Sequence, residues 1–459
     1  MTKITLRTDE RFQTFERFGV SGAWWAQVVG GWTEPDEESG LPKRARIAQL
    51  LFDKENGIGV RCYRYNLGGG SAASGQGDFG NASRRAESFD TDGGYDWDRD
   101  ANAVWVLQKA VQFGADEVIF FVNSPPERLT KNGMAHCSKP FHTNLARENY
   151  ASFAAYCLDC VEHFRALGVP IRYLSPVNEP LWKWTGGQEG CHYRPRQVKR
   201  LLRVFADALD ERPALADLRL SAAENGDIRF YNKTYTRIVL GDKKIRKAVD
   251  AVDLHSYFVK PGFPLPACFV DDRTPFLRRY RRWLDRRFPG VPVKTSEWTH
   301  MQGGRDYGMD SALEQTKVML EDLTILNVSA WQLWIAVSNV DYCDGLIYTN
   351  DDARTFELTK RYYAFGQFSK FIEPDSVRFL VDAGDDLQGA GFTKNGLHVV
   401  VIANHNAYDV QATLPEQIRE IYVTSEACSL TPFAPARDFT FPQKSVTTLI
   451  FEEGRASDD

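Results

Sequence analysis

The sequence predicts an α/β fold, a (β/α)8 barrel with a side β-sandwich, and three observations lead to this prediction. Eight short runs rich in β-branched and aromatic residues alternate with longer stretches of helical periodicity. Several helical stretches end at a glycine directly before the next strand, as at Gly114 and Gly168. Beyond residue 345 the helical periodicity gives way to short segments of alternating apolar and polar residues.

The eight predicted barrel strands follow one another along the chain. They cover residues 17–22, 59–67, 117–123, 172–178, 218–223, 251–257, 292–298 and 328–334. An open doubly wound sheet is the main competitor, and it would carry a glycine-rich phosphate-binding turn after its first strand. Gly68-Gly69-Gly70 is the nearest candidate, but its spacing differs and no helix is predicted to begin there. The alternation of eight strands with helices therefore favours the barrel.

The last part of the chain predicts a second layer of structure. Segments such as SVRFLVDAG and GLHVVVIANH are typical of an antiparallel sheet packed on one face. The N-terminal segment ITLRTDERFQTFERF has the same character. We therefore expect residues 1–15 and 346–459 to form a side β-sandwich next to a barrel of residues 16–345. Since no Ser/Pro-rich linker separates the two parts, the sandwich is expected to dock rigidly.

Composition excludes several classes of partner. The chain has 459 residues, with 56 Lys and Arg against 61 Asp and Glu, so its formal net charge is only −5. This charge gives no electrostatic reason to expect a nucleic-acid partner. No run approaches the ~20 apolar residues that a membrane span requires. Composition predicts no particular oligomeric state.

The N-terminus and the cysteines bear on the compartment. MTKITLRTDERF lacks the apolar stretch of a signal peptide, so a cytoplasmic protein is expected if Met1 is the native start. A native chain that begins earlier would instead allow secretion. The eight cysteines are scattered among apolar neighbours, which is typical of reduced, buried thiols. Cys157 and Cys160 lie in a predicted helix, and we interpret them in the same way.

Two glutamates lie where a barrel enzyme carries its chemistry, at the C-terminal ends of the strands. Glu179 follows the fourth predicted strand, and Glu297 lies at the end of the seventh. A pair of carboxylates across a small barrel mouth is typical of glycoside hydrolysis. Groups ~5–5.5 Å apart suit a retaining mechanism, and ~6.5–9.5 Å leaves room for the water of an inverting one. The placement predicts a gap near ~5 Å and therefore retention.

The neighbours of the two glutamates suggest their roles. Asn178 directly precedes Glu179 and is placed to bind a sugar hydroxyl beside the reacting centre, which makes Glu179 the expected general acid/base. Glu297 is expected to accept hydrogen bonds from Arg64 and Tyr257, to stay ionised and to act as the nucleophile.

The motifs around these residues resemble glycoside hydrolase family 30 over most of the chain. They are, in order, FGVSGAWW, GIGVRCYRYNLGGG, NSPPERLTKNG, SPVNEP, DLHSYF, TSEW, WQLW and RYYAFGQFSKFIEP. The resemblance implies a retaining β-glycosidase that uses no cofactor or metal and takes an oligosaccharide or polysaccharide substrate. It implies that Glu179 is the acid/base and Glu297 the nucleophile. The predicted substrate-binding residues are Arg64, Asn123, Asn178, His255, Tyr257, Trp298 and Trp334.

The resemblance also suggests a substrate. Family 30 includes β-1,6-galactanases, β-1,6-glucanases, glucuronoxylanases, β-xylosidases and glucosylceramidases. AWWAQVVGGW and RYNLGGG are most similar to the β-1,6-galactan-active branch. The sequence departs from the pattern at Glu127-Arg128-Leu129, where relatives commonly carry an aromatic or Met-containing stretch. A cytoplasmic enzyme would meet imported oligosaccharides, so we expect action on short chains or chain ends.

Two other interpretations remain open from the residues alone. A non-catalytic carbohydrate-binding protein on the same fold would usually lack one of the glutamates, and both are present. A metal- or phosphate-dependent barrel enzyme would need a ligand cluster, whereas His136, His142 and His192 are spread over predicted loops.

Overall fold

Eight parallel strands form the barrel in this computed structural model, which describes residues 2–222, 224–229, 232–257 and 272–452. Neighbouring strands along the chain pair in parallel except the fifth and sixth, and the eighth strand pairs with the first. Backbone hydrogen bonds from Asp253 to Ala222 and from His255 to Asn225 join the fifth and sixth segments. The predicted (β/α)8 fold is thus confirmed. The strands are Arg17–Ser21, Cys62–Asn66, Glu117–Phe121, Ile171–Ser175, Arg219–Leu220, Val252–His255, Val293–Trp298 and Val328–Leu333.

The fifth barrel strand is shorter than predicted. Residues 218–223 were expected to form it, but only Arg219–Leu220 does, and Ala223 lies outside the described residues. Beyond Leu220 side-chain hydrogen bonds are added to the backbone bonds that Ser221 and Ala222 still make with the neighbouring strands. The Ser221 hydroxyl donates to the Glu224 carboxylate, and the Ala222 amide donates to the Asp253 carboxylate.

Helices follow the barrel strands and cover the outside of the barrel. Two of them end as predicted at glycines with positive φ, Gly114 at 131° and Gly168 at 86°. Within the described ranges the main helices are Lys43–Phe52, Ala101–Phe113, Tyr150–Ala166, Pro195–Asp210, Asn232–Leu240, Lys243–Ala248, Thr274–Arg287, Met309–Glu321 and Lys360–Ser369. Short helices Ala26–Val29 and Ser71–Ser74 lie in the loops after the first and second strands.

The second barrel strand shows how alternation places side chains. Tyr63 and Tyr65 point outwards and pack against helix residues, with ring centroids 5.6 Å from Phe52 and 6.3 Å from Phe164. Cys62 and Arg64 lie on the opposite face, because side chains alternate along a strand. Arg64 therefore points into the barrel close to its mouth.

The side β-sandwich consists of two sheets around its own core. The larger sheet has the strand order Thr5–Phe15, Ser376–Asp382, Gln388–Lys394, Leu397–Asn404, Ser445–Glu452, Ile418–Thr424 and Thr431–Phe433. The smaller sheet contains Thr2–Lys3, Val410–Thr413 and Asp438–Phe441. A cluster of buried apolar residues from both sheets fills the space between them, including Phe379, Ile402, Ala412 and Phe441.

The N-terminal strand joins this sandwich by antiparallel pairing with Ser376–Asp382. The predicted domain boundaries stay a prediction. The last barrel helix, Lys360–Ser369, lies beyond residue 345. Residues 1 and 453–459 are outside the described ranges. Smaller elements are Asp90–Thr91 with Gly94–Tyr95, and Val337–Ser338 with Ile347–Asn350 and Thr355–Leu358.

No helix in the described part of the chain has the length and apolar character needed to cross a membrane.

Candidate active site

The two predicted glutamates meet at the barrel mouth around one histidine. His255 Nδ1 lies 3.0 Å from Glu179 Oε1 and 3.3 Å from Glu297 Oε1. One oxygen of each carboxylate and one imidazole nitrogen all lie within 4.8 Å of one another. The nearest oxygens of the two carboxylates are therefore no more than 4.8 Å apart.

Irregular strand pairing directs Glu297 into the mouth. The seventh strand shifts its register against the eighth strand between Thr295 and Trp298. It also shifts against the sixth strand, where Leu254 pairs with Thr295 but His255 pairs with Glu297. Such bulges interrupt the simple alternation of side chains and are frequent beside active sites. The lysine three residues earlier, Lys294, still points to the barrel floor, where its ammonium contacts Tyr173.

The backbone of Glu179 adopts an unusual conformation in the loop that follows the fourth barrel strand. Its φ is 40°, in the left-handed region that non-glycine residues seldom occupy. Its amide donates to the Glu224 carbonyl at 3.0 Å, and its carbonyl accepts from the Trp182 amide at 3.1 Å and Trp184 Nε1 at 2.9 Å. Gly226 lies against its side chain, and a Cβ there would come within 2.7 Å of Glu179 Oε1.

Arg64 connects the groups beneath the two glutamates. Its guanidinium donates to Glu297 Oε2 at 2.6 Å and to Asn178 Oδ1 and Glu224 Oε2 at 3.1 Å each. The guanidinium carbon lies 3.7 Å from the centroid of the Phe121 ring. Burial disfavours the cation, but the Glu224 and Glu297 charges outweigh burial and raise the pKa of Arg64. The predicted hydrogen bond between Arg64 and Glu297 is therefore present.

Tyr257 makes the second predicted hydrogen bond to the same carboxylate. Its hydroxyl donates to Glu297 Oε1 at 3.1 Å. Burial and the Glu297 charge raise the pKa of Tyr257 well above its usual range, so the phenol remains a donor. Burial also raises the pKa of Glu297, while the His255 and Arg64 charges pull it down, and the net direction is upward.

His255 responds to both carboxylates. Burial disfavours the imidazolium, but the charges of Glu297 and Glu179 outweigh burial and raise the pKa of His255. The histidine is fully buried, so its ring is held between the carboxylates without contact with bulk solvent.

The other predicted site residues divide into two groups. Asn178 Nδ2 donates to Asn123 Oδ1 at 3.0 Å, so both amides belong to the network around Arg64. The Trp334 ring lies edge-on to Trp24 at 5.2 Å and near the Arg64 guanidinium at 5.9 Å. By contrast, Trp298 packs against the core residue Trp331 at 5.9 Å, and its carbonyl accepts from the Trp334 amide.

A third buried carboxylate, Glu224, lies beside Arg64 and was not predicted from the sequence. It is fully buried and accepts hydrogen bonds from Arg64, Ser175 and Ser221, the Ser175 bond being 2.5 Å long. Burial raises the pKa of this carboxyl, but the Arg64 and His255 charges outweigh burial and lower the pKa of Glu224. Its position at the end of the fifth strand was the available signal.

The expectation about metal ligands needs one correction. A group of Glu179, His255 and Glu297 has atoms close enough to hold a metal ion, so the chain does bring a potential ligand cluster together. His136, His142 and His192 do not belong to such a group among the described residues. The two glutamates lie on strands that are distant in the sequence. The sequence therefore gives no indication that His255 contacts both of them.

A carboxylate pair at the C-terminal mouth of a (β/α)8 barrel is the arrangement that glycosidases use. Residues 1–243 and 295–348 match the profile of O-glycosyl hydrolase family 30. This match covers more than half of the chain, and the chain belongs to that family. Its substrate is accordingly a carbohydrate.

Three comparisons illustrate the relationship. An endo-β-1,6-galactanase of Hypocrea rufa is 25% identical over 399 residues, which are 81% of this chain and 74% of that protein. A conserved exported protein from Bacteroides fragilis superposes with a TM-score of 0.85 at 22% identity, covering 98% of this chain and 100% of the other. The catalytic domain of GH30 xylanase C from Talaromyces cellulolyticus gives a TM-score of 0.75 at 17% identity, covering 98% and 99%. The two solved structures share the fold with this chain.

Proposed function

We propose that this glycosidase retains the anomeric configuration through double displacement, with Glu297 as nucleophile and Glu179 as general acid/base. The observation that carries the proposal is the distance between the two carboxylates, whose nearest oxygens lie within 4.8 Å. An inverting enzyme keeps its carboxyl groups ~6.5–9.5 Å apart because a water molecule must fit beside the sugar. The gap here favours direct attack by a carboxylate.

The surroundings of Glu297 favour its role as nucleophile. Two donors, Arg64 and Tyr257, hold its two oxygens in different directions, and the His255 and Arg64 charges oppose the burial that raises the pKa of Glu297. Hydrogen bonds to a charged acceptor are stronger than neutral ones and also restrict the orientation of the carboxylate. A carboxylate held in this way can attack the anomeric carbon and leave as the glycosyl ester is hydrolysed.

The surroundings of Glu179 favour proton transfer. Its side chain is 18% exposed, against 6% for Glu297, so it reaches the water that must enter in the second step. In the first step its proton goes to the leaving glycosidic oxygen, and in the second it takes a proton from the attacking water. His255 Nδ1 contacts both carboxylates, so the histidine can stabilise the negative charge on either of them during the two steps.

We further propose β-1,6-linked galactan oligosaccharides as the substrate. Two sequence features support this choice: the similarity to the endo-β-1,6-galactanase and the motifs AWWAQVVGGW and RYNLGGG. The first motif contains Trp24, whose ring meets Trp334 beside Arg64, and flat aromatic faces suit the C–H faces of a sugar. Other family 30 specificities, and sugar binding without catalysis, are the alternatives.

The roles can be tested by azide rescue on an aryl β-glycoside with an activated leaving group. In Glu179→Ala the glycosyl-enzyme still forms, and azide should release it as the β-glycosyl azide. In Glu297→Ala no ester can form, so azide attacks directly and should give the α-glycosyl azide. The wild-type enzyme with azide is the control. Identical azide anomers from the two variants, or full activity of either without azide, would refute the assignment.

The substrate is tested separately with matched aryl β-glycosides and β-1,6-galactobiose. We expect kcat/KM for the β-galactoside to exceed that for the β-glucoside and β-xyloside by at least about tenfold, equivalent to about 1.4 kcal/mol of selective transition-state binding. Preference for another sugar contradicts the galactan proposal but leaves the mechanism intact. Tight calorimetric binding without any product would favour a sugar-binding protein. Random internal cleavage of long galactan would contradict action on short chains.

A further inference from the structure

Two cysteines face each other between the loops that surround the candidate active site. Cys137 lies in the loop after the third barrel strand, and Cys191 lies in the loop after the fourth. Both side chains are buried, and the Thr143 hydroxyl lies 3.8 Å from the Cys191 sulfur. Both cysteines are free in this structure. The remaining thiols of the described ranges include Cys157 and Cys160, which lie on one helix.

The backbones of the two loops run side by side at this point. The Gly190 amide donates to the Ala135 carbonyl at 2.9 Å, and the His192 amide donates to the Cys137 sulfur at 3.4 Å. The residue between these two donors is Cys191. The segments that carry Cys137 and Cys191 are therefore adjacent, and a disulfide between two segments requires such proximity.

The packing around this contact depends on Gly190. A Cβ at Gly190 would lie 2.3 Å from the Trp184 ring, so only glycine lets the ring cover the segment that bears Cys191. Trp184 in turn connects the cysteines to the catalytic loop. Its carbonyl accepts from the Cys137 amide at 2.7 Å, and its indole donates to the Glu179 carbonyl at 2.9 Å.

We propose that Cys137 and Cys191 form a reversible disulfide that joins the third and fourth loops and stabilises the loop carrying Glu179. The oxidant is a small-molecule disulfide, represented by glutathione disulfide. The Cys191 thiolate attacks one of its sulfurs and releases a glutathione thiolate. The Cys137 thiolate then attacks the sulfur of Cys191, displaces the second glutathione thiolate and closes the bond. The two protein thiol protons pass to solvent, so two protein thiols are oxidised and one glutathione disulfide is reduced to two thiols.

Both side chains are buried, so glutathione disulfide reaches them only when the two loops separate, and the acidity of the pair then suits the exchange. Burial opposes ionisation of Cys191, but the hydrogen bond with Cys137 and other nearby donors outweigh it and lower the pKa of Cys191 to about 6. The same hydrogen bond, together with burial, raises the pKa of Cys137. The pair therefore loses its first proton at Cys191, which is the better attacking thiol near neutral pH. Burial raises the pKa of Cys157 and Cys160 well above the usual range of a thiol.

The test uses the whole reduced protein, incubated with glutathione disulfide, then denatured, alkylated and digested for mass spectrometry. We expect a peptide pair linked through Cys137 and Cys191, together with two fewer free thiols than the eight of the reduced chain. Dithiothreitol should reverse the link. Cys157 and Cys160 form the internal control and should remain fully alkylated.

A second measurement follows thermal unfolding. The disulfide closes a long loop, and the expected rise in Tm on oxidation is roughly 4 °C in the wild-type protein. The variants Cys137→Ser and Cys191→Ser should show no rise, whereas Cys157→Ser should behave like the wild type. The half-life of activity at elevated temperature should lengthen on oxidation only where both cysteines are present.

Three results would overturn the proposal. Cys137 and Cys191 could be alkylated as completely as Cys157 after oxidation. Cys191 could carry glutathione without any link to Cys137. The link could form at the same low level as one between Cys157 and Cys160. None of these results depends on the catalytic roles of Glu179 and Glu297, because the primary readout is a covalent bond.

Discussion

Replacing Glu224 by glutamine tests how the buried charges position the nucleophile. The substitution preserves the shape of the side chain and removes one negative charge from the Arg64 network. Glu224 Oε2 accepts from Arg64 and Ser175, while Oε1 faces the Ser221 hydroxyl at 3.2 Å. A glutamine oxygen can keep the first two bonds, and its amide can donate to Ser221. The main change is therefore electrostatic.

The expected loss of stability follows from the burial of the pair. Arg64 and Glu224 are 1% and 0% exposed and lie 3.1 Å apart, so Arg64 loses one of its two compensating charges. Removing one partner of a buried ion pair costs about 3–5 kcal/mol. With an unfolding entropy of about 2 cal/mol/K per residue, a chain of this length should lose about 3–5 °C in Tm.

The dependence of kcat/KM on pH distinguishes the loss of the Glu224 charge from a mere change in packing, because packing alone would not move the pKa of Glu297 in this direction. The Glu224 charge is one of the causes that raise the pKa of Glu297. Below that pKa the nucleophile is protonated and inactive, so kcat/KM falls on the acid side. Without the Glu224 charge the pKa of Glu297 falls, and the acid limb should move to lower pH.

Glu321→Gln is the matched control, because Glu321 forms another buried pair with Arg273 at 2.9 Å. This variant should lose stability without moving the acid limb. The assay is kcat/KM against pH on an aryl β-glycoside, with Tm measured by calorimetry. An acid limb for Glu224→Gln at the wild-type position, or one displaced to higher pH, would refute the reasoning.

Three further predictions concern single contacts. Gly226→Ala should lower kcat by about 100-fold with a nearly unchanged circular dichroism spectrum, because the new methyl group displaces the Glu179 carboxylate it would approach within 2.7 Å. Tyr257→Phe removes the 3.1 Å bond to Glu297 and should lower kcat by about 10–100-fold, whereas unchanged kcat would show that this donor is dispensable. Dialysis against EDTA should leave kcat unchanged, and a loss restored by a divalent cation would show that the Glu179–His255–Glu297 group holds a metal.

Sequence periodicity was sufficient to predict the barrel because its strands are short, buried and separated by regular helices. The prediction was least accurate at the fifth strand, where Arg219–Leu220 is followed by side-chain hydrogen bonds to Glu224 and Asp253. Such bonds leave no periodic signal. The predicted cytoplasmic location remains a prediction, which cell fractionation of the native protein would test.

The candidate site was predictable where motif and strand end coincide, as for Glu179 and Glu297. Glu224 and Gly226 follow a weak strand outside any recognised motif, so their contacts became evident only in three dimensions. Trp298 directly follows Glu297 in the sequence. The resemblance implied that it binds the sugar, and this stays a prediction; its ring packs against Trp331.

Trapping the glycosyl-enzyme intermediate tests the proposed mechanism most directly. The enzyme is incubated with 2-deoxy-2-fluoro-β-galactosyl fluoride and its glucosyl and xylosyl counterparts, and the digest is examined by mass spectrometry. In a retaining enzyme the fluorine slows both steps, while the fluoride leaving group allows the first to proceed, so the ester accumulates. The proposed mechanism predicts one fluoroglycosyl group on Glu297 and none in Glu297→Ala. A label on Glu179, or inverted product from an enzyme that none of the three reagents labels, would contradict it.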